Sequence, residues 1–541
     1  MMRLRCWIVA LSTAMLAEVV LAEDRCTAIL VGAKASTTGS PMTTHTNDCS
    51  SCDFRLVKVP QQTHAPDATH DVVLASFDYP RYVAIGESTC GARFVARPRS
   101  QGGDALFDIA ELSRIALQRA TSARQAIQVM GDLAVQYGYY GAEWEGDGMY
   151  SEAGEALTVT DTKEAWMFHI LPDDTGKSAV WAAQRVPDDH VSAVANQFVI
   201  HELQLNNTEF FLASPNIQEV AIRNKLWSPD SGEAFDFTKI YSQPRLPGQQ
   251  YYSTRRVWRI FTLANPGIEL SPYTDVYSSE YPFSVAASRV LSPHDIMRFQ
   301  RDHYEGTPFD MTKGAPGGPY GNPDRYDQGL NGDLTPQDLA QGHFERAISI
   351  FRASYSYVSV LNASNADNAF LWFGQYAPHA TLQLEQAAEN VLKEVEEQAA
   401  HIRAQQGEAA MRRFLTEQTA LFASQSHTAF TNLFEYLVTV FHDGYEMSGF
   451  FTSTLVAKPL FYPKWWLELV GFFNGSTQPD VPVSGVRRPA VVISGLSAIP
   501  THSTVSYGLT ALIAFVSGGV GVLIGRQYAT RKQTVGYQPI H

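Results

Sequence analysis

A thiol is the strongest nucleophile that protein side chains offer, and this chain carries only five: Cys6, Cys26, Cys49, Cys52 and Cys90. An ordinary cysteine is mostly protonated at neutral pH and needs a base to act. Cys26 has one within reach if it is released as the first residue of a mature chain. Its own α-amine, with a pKa near about 8, can then take the thiol proton directly or through a water. That chemistry demands a Cys, Ser or Thr freed at position one, a buried strand behind it, and a short removable leader. Cys26 meets all three demands. Thr27-Ala28-Ile29-Leu30-Val31-Gly32 reads as a buried strand, and the residues before it read as a leader. An inert buried cysteine is the plainer alternative. Cys49-Ser50-Ser51-Cys52 has CxxC spacing with no second CxxC or HxxxH partner, so a local disulfide between Cys49 and Cys52 is expected there rather than a zinc site.

The ends of the chain say where such a thiol would work. Met1-Met2-Arg3-Leu4-Arg5 is a basic start, an apolar run follows from Cys6 to Leu21, and Ala22 is a small residue at a cleavage point. A signal peptide over 1–22 is expected, with a retained anchor as the alternative. Cleavage after Ala22 leaves a propeptide, 23–25, ahead of Cys26. At the other end Val505 to Gly525 has no charged residue. At about 1.5 Å per residue it covers about 30 Å, the thickness of a bilayer core. Arg526, Arg531 and Lys532 follow it, which by the positive-inside rule makes 526–541 a cytosolic tail.

That tail ends Gly536-Tyr537-Gln538-Pro539-Ile540-His541. It resembles the Gly-Tyr-x-x-apolar sorting signal of lysosomal membrane glycoproteins, with Tyr537 and Ile540 facing a cytosolic adaptor. The expectation is a single-pass type I membrane protein, lysosomal, endosomal or at the cell surface, with its bulk luminal or extracellular. Sequons at Asn206, Asn362 and Asn474 would then be open to glycosylation.

The elements that position the thiol lie between these ends. The 541 residues suffice for one large domain with appendages, and a net charge of −14 excludes a nucleic-acid surface. Ala105 to Tyr137 has helical spacing, with a second helix from Ala123. Strand-like runs cover Glu164–Ile170, Ser178–Arg185 and Ala193–Glu202, with a turn at Pro187-Asp188-Asp189. Gly314–Tyr326 is a Pro/Gly-dense loop, either a linker or a cover for substrate. Gln383 to Gly444 is helix-rich, and 474–504 reads as a Pro/Ser/Gly-rich stalk below a domain spanning 26–473.

Several blocks in one order carry a family resemblance. They begin with Cys26-Thr27-Ala28-Ile29-Leu30-Val31-Gly32 and Thr44-His45-Thr46-Asn47-Asp48. They continue through Ala84-Ile85-Gly86-Glu87-Ser88-Thr89-Cys90, Ala195-Asn196-Gln197-Phe198, Ser253-Thr254-Arg255-Arg256-Val257-Trp258 and Trp372-Phe373-Gly374-Gln375. Together they resemble the C69 dipeptidases, N-terminal-nucleophile (Ntn) hydrolases related to penicillin V acylase and bile salt hydrolase.

The resemblance implies an α+β fold, an αββα four-layer sandwich of antiparallel sheets; the composition of Gln383 to Gly444 and the apolar run 505–525 add a C-terminal helical region and one transmembrane helix. It implies hydrolysis of unblocked dipeptides through a cysteine thiolate and an acyl-enzyme, with no cofactor and no metal. It gives Cys26 the attack, Asp48 the holding of ammonium or thiol, and Asn196 a donor to the oxyanion. Arg256 would lower the thiol pKa, Glu87 would bind the dipeptide's α-ammonium, and Cys90 would be a small buried residue. Two stretches, between Tyr82 and Ala84 and after Pro378, are shorter than the resemblance implies. Loss of core strands there would leave an inactive glycoprotein that keeps the fold as a binding module; an acylase of non-peptide amides is the other alternative. Mass spectrometry of the natively processed protein should find Cys26 as the first residue, and a chain that retains Arg25 overturns the leader reading.

Overall fold

The computed structural model describes residues 26–48, 83–141, 153–243, 251–275, 278, 281–323, 344–362, 369–380, 382–442, 445–448, 454–459, 462–469 and 491–494. It is a mixed α/β structure built on antiparallel sheets. Eleven strands form the two principal ones: β1 (Ala28–Val31), β2 (Met42–Asn47), β3 (Ala84–Cys90), β4 (Gly154–Thr160), β5 (Ala165–Pro172), β6 (Ala179–Val186), β7 (His190–Val194), β8 (Phe211–Ala213), β9 (Ser284–Ala286), β10 (Tyr355–Val360) and β11 (Phe370–Gln375). The first sheet has the order β11-β10-β2-β1-β7-β9 and the second β3-β4-β5-β6-β8. β1 is thus central, pairing Leu30 with Thr43 of β2 and Ile29 with Ala193 of β7.

Strand alternation sorts the side chains into three cores. Ala28 and Leu30 of β1 cluster with Met167 and Leu171 of β5 and Ala182 of β6, joining the two sheets. The opposite parity, Ile29 and Val31, clusters with Val257, Ile260 and Phe261 of a helix at Thr254–Ala264 and with Ile296 of another at Pro293–Gln300. On the second sheet Leu157, Trp166 and Phe168 cluster with Leu112, Ile115, Ile127 and Met130 from α1 (Ile109–Arg119) and α2 (Ala123–Tyr137).

Caps start these helices where their sequences demand. The Asp108 carboxylate accepts from Glu111 N at 2.7 Å, and Ser122 Oγ accepts from Gln125 N at 3.3 Å. Ser292 and Asp295 form a reciprocal capping box ahead of Pro293–Gln300.

β2 of the first sheet lies against β3 and β4 of the second. Thr43 and Thr158 hydroxyls hydrogen-bond there at 2.6 Å. A Cβ on Gly86 would lie 2.1 Å from Thr44 O and 2.5 Å from Thr158 Oγ1. Only a residue without a Cβ lets this edge strand sit so near the sheet that carries Cys26.

The expected helical region is present as Leu382–Gln406 and Glu408–Val440, and Glu394, Glu396 and Glu397 of its charge run are exposed. A further small sheet joins Phe441–His442, Tyr445–Ser448, Thr454–Pro459 and Val491–Ser494. The last of these strands falls within the segment read as a stalk. Within Gly314–Tyr326, Gly314–Gly317 is one helical turn and Gly318–Tyr320 a 3-10 turn.

The expectation of a single-pass type I lysosomal, endosomal or cell-surface protein is corrected. Among the described residues no helix is long and apolar enough to cross a membrane. The two longest carry charges such as Glu394, Glu397, Arg412, Arg413 and Glu417 along their length, and a charged side chain at a bilayer centre costs about 3 kcal/mol. The segments that carried the expectation lie outside the described residues: 1–22, 23–25, Val505 to Gly525, and the tail with Tyr537 and Ile540. So do Cys49, Cys52 and Asn474. Asn206 is exposed, and Asn362 half-buried.

Gly86→Ala should destabilise the protein by about 1–3 kcal/mol, because the carbonyl it meets belongs to a paired strand and cannot step aside. Equilibrium urea unfolding measures this, and an unchanged midpoint refutes the close approach.

Candidate active site

Cys26 stands immediately before β1 and is almost wholly buried, with 1% of its surface exposed. Pairing begins at the next residue: Thr27 N donates to Thr46 Oγ1 at 3.1 Å, and Thr46 N to Thr27 O at 3.1 Å. The cysteine is therefore anchored by its carbonyl side. Its carbonyl oxygen accepts from Ser88 Oγ at 3.2 Å and from Arg256 Nη1 at 3.3 Å.

Arg256 comes from the helix that backs the first sheet, and none of its side chain reaches solvent. Its remaining donors go to Tyr252 O at 3.0 Å, Thr27 Oγ1 at 3.0 Å, Ala195 O at 3.1 Å and Asn196 Oδ1 at 2.8 Å. A guanidinium has five N–H groups, so all are used. Burial, and then the like charge of Arg346, lower its pKa from 12.5 to about 10, which still leaves it cationic at neutral pH.

Asn196 follows β7 with φ at 60°, a left-handed conformation that asparagine tolerates better than most residues. The expected strand Ala193–Glu202 stops at Val194 for this reason. The turn brings Asn196 N to Ser88 Oγ at 2.8 Å and Nδ2 to Thr89 O at 2.8 Å. Because Oδ1 accepts from Arg256, the orientation of the amide is determined.

Asp48 is wholly buried and ion-paired to Arg346, and its Oδ1 has no hydrogen-bond partner. Burial raises its pKa, opposed by Arg346 and Arg256. Its chain neighbour Asn47 has Oδ1 4.0 Å from Cys26 Sγ. Cys90, also buried, donates to Ser88 O at 3.2 Å and belongs to the core between the sheets.

Glu87 of β3 is buried beside His45 of β2, with Oε2 3.3 Å from His45 Nε2 and Oε1 accepting from Thr89 Oγ1 at 3.0 Å. Burial pushes the Glu87 carboxyl up, but hydrogen bonds with His45, Glu155 and Thr89 outweigh it and hold the pKa at about 2. Edge-on contacts with Tyr355 at 5.6 Å and Tyr357 at 5.8 Å brace the imidazole. Burial raises both phenol pKa values, so the rings stay neutral.

The structure therefore links Cys26 and Asn196 through Arg256 and Ser88, sets Glu87 beside His45, and pairs Asp48 with Arg346. Sequence reasoning passed over His45, Asn47 and Ser88 as functional residues. The two-residue alternation of β2 was the available signal for His45 and Asn47, which share one parity.

The model of peptidase family C69 matches residues 81–382, a span that includes Glu87, Asn196 and Arg256 but begins after Cys26, His45 and Asp48. The chain is 28% identical over 271 residues to a probable dipeptidase of Latilactobacillus sakei, covering 49% of this chain and 48% of that protein. It is 29% identical over 203 residues to a probable dipeptidase of Salmonella dublin, covering 37% and 41%. Dipeptidase A of Lactobacillus helveticus is 23% identical over 326 residues, covering 53% and 63%. The chain spans about half the length of the curated relatives it matches. These relatives are bacterial, which also weighs against the lysosomal placement expected from the tail.

The Glu87 carboxyl, with a folded pKa of about 2 against an ordinary 4.5, adds stability that is whole above the ordinary value. That stability is lost as pH falls toward 2. Thermal unfolding of wild type and Glu87→Gln between pH 7 and pH 3 should show the wild type's advantage shrinking as acid is added. A gap independent of pH would mean that Glu87 is not held ionised.

Proposed function

Because the chain belongs to peptidase family C69, we propose that it is a cysteine-type dipeptidase in which Cys26, trimmed to the first position, is the nucleophile. The observation that carries this reading is the anchorage of Cys26. Its carbonyl is held from two sides by Ser88 and Arg256 at the head of the central strand, where a freed α-amine would sit beside its own sulfur. The three cores, helix on sheet, sheet on sheet and sheet on helix, support the Ntn four-layer sandwich as the architecture.

In the reaction the thiol proton passes to the α-amine and Sγ adds to the dipeptide carbonyl. The second amide hydrogen of Asn196 meets the oxyanion, a contact worth about 3 kcal/mol when well placed. The C–N bond then breaks, the departing amine takes the proton from the α-ammonium, and water hydrolyses the thioester. Glu87, kept ionised, receives the dipeptide's α-ammonium. Free dipeptides are selected because a blocked amine would leave that buried carboxylate without its counter-charge. Arg256 has no spare donor and so acts as a positioning residue. It holds Asn196, Thr27 and the Cys26 carbonyl in register and keeps a cation near the thiol. Asp48 is paired with Arg346, so Asn47 is the neighbour of the thiol on β2. The mechanism needs no metal or cofactor.

Cys26→Ala should abolish hydrolysis of Ala-Ala, and Asn196→Ala should reduce kcat about 100-fold with a smaller effect on KM. Steady-state kinetics on natively processed protein checks both. Hydrolysis surviving Cys26→Ala, or carried out with Arg25 still attached, sinks the mechanism. Faster turnover of acyl amides than of dipeptides would make the enzyme an acylase.

A further inference from the structure

We propose that Cys26, His45 and Glu87 form a binding site for a thiophilic divalent cation of the Zn2+ class, and that its occupancy shuts the active site. Cys26 Sγ, a ring nitrogen of His45 and a carboxylate oxygen of Glu87 all lie within 4.8 Å of one another, and all three residues are buried. Ligand atoms around a tetrahedral zinc, with bonds of about 2.0–2.3 Å, stand roughly 3.4 Å apart. His45 Nε2 and Glu87 Oε2, at 3.3 Å, already have that spacing. A rotation of the Cys26 side chain brings the sulfur in.

The donor set specifies the cation. Thiolate and imidazole favour zinc and its neighbours over the oxygen-seeking Mg2+ and Ca2+. One thiolate and one carboxylate neutralise a charge of two; the thiol proton leaves to solvent as the sulfur binds, and the proton that His45 Nε2 shares with Glu87 moves to Nδ1, freeing that nitrogen's lone pair. Outer contacts orient the ligands: Thr89 Oγ1 holds the other Glu87 oxygen at 3.0 Å, and Tyr355 and Tyr357 hold the ring. Nearby positive charge does not compete for this space, since Arg256 is engaged through all five donors and Arg346 is paired with Asp48.

Two consequences separate this site from a catalytic metal. The cation takes the nucleophile's lone pair, so it inhibits rather than activates. It also ties β2 of one sheet to β3 of the other, so it stabilises the fold whether or not the protein is an enzyme. The inhibitory half rests on the dipeptidase reading; the binding half does not. In the trimmed protein the α-amine of Cys26 can close a five-membered N,S chelate and strengthen binding further.

Co2+ titrated into the full chain is the direct probe, because cobalt bound to a thiolate absorbs in the near ultraviolet. One equivalent per chain should produce that band. Cys26→Ser, which keeps the shape, should abolish it, and Glu87→Gln should weaken binding at least tenfold. Zn2+, but not Mg2+, should raise the melting temperature of wild type and leave that of Cys26→Ser unmoved. Binding without the thiolate band, or equal Zn2+ stabilisation in Cys26→Ser, overturns the site. A protein that shows the band but hydrolyses no dipeptide retains the metal site and loses the dipeptidase reading. One that hydrolyses dipeptides undisturbed by Zn2+, with no band, loses the metal site alone.

Discussion

A guanidinium with no surface in water must have its hydrogen bonds made by protein, or its burial costs several kcal/mol. Arg256 meets that condition with five acceptors drawn from four places: the turn before its own helix at Tyr252, the carbonyl of Cys26, the first paired residue at Thr27, and the end of β7 at Ala195 and Asn196. Each acceptor is held where it is because the others are. The left-handed turn at Asn196, the orientation of its amide and the placing of the Cys26 carbonyl are consequences of one buried cation seeking full satisfaction. The same saturation limits what Arg256 can do, since it cannot donate to a reaction intermediate without surrendering a bond it already has.

The second constraint is steric. Glu87 can stand beside His45 only because Gly86 lets β3 ride against Thr44, and the hydroxyl pair Thr43–Thr158 closes the same seam. The candidate site is thus split between the sheets, with Cys26, His45 and Asn47 on the first and Glu87 and Ser88 on the second. Ser88 joins the halves, donating to Cys26 O and accepting from Asn196 N. The family match covers Glu87, Ser88, Asn196 and Arg256 and begins after Cys26 and His45.

Much of the scaffold was legible in the residues. The apolar run after Cys26 is β1, the spacing of Leu112, Ile115, Ile127 and Met130 marks the α1–α2 face, and Pro187-Asp188-Asp189 separates β6 from β7. These are local patterns, and period and turn chemistry report them directly. Boundaries set by distant contacts were not legible: the strand expected to run to Glu202 ends at Val194, where hydrogen bonds from β3 and the Arg256 helix impose a left-handed residue. His45 stands in a motif that gives it no role, because its importance depends on a carboxylate contributed by another sheet. Arg346, which neutralises Asp48, lies 298 positions away in the chain, and no spacing rule reaches so far.

The contacts described for Cys26 are made by its carbonyl, by its side chain and by the residue after it. If Cys26 is freed as proposed, the untrimmed chain would already hold its carbonyl and the groups around it in place. What it would lack is a proton acceptor, because an amide nitrogen is not a base. Latency would then be a matter of protonation chemistry rather than of shape. Proteolysis would switch the molecule on by uncovering a lone pair, with no refolding step between the cut and the first turnover.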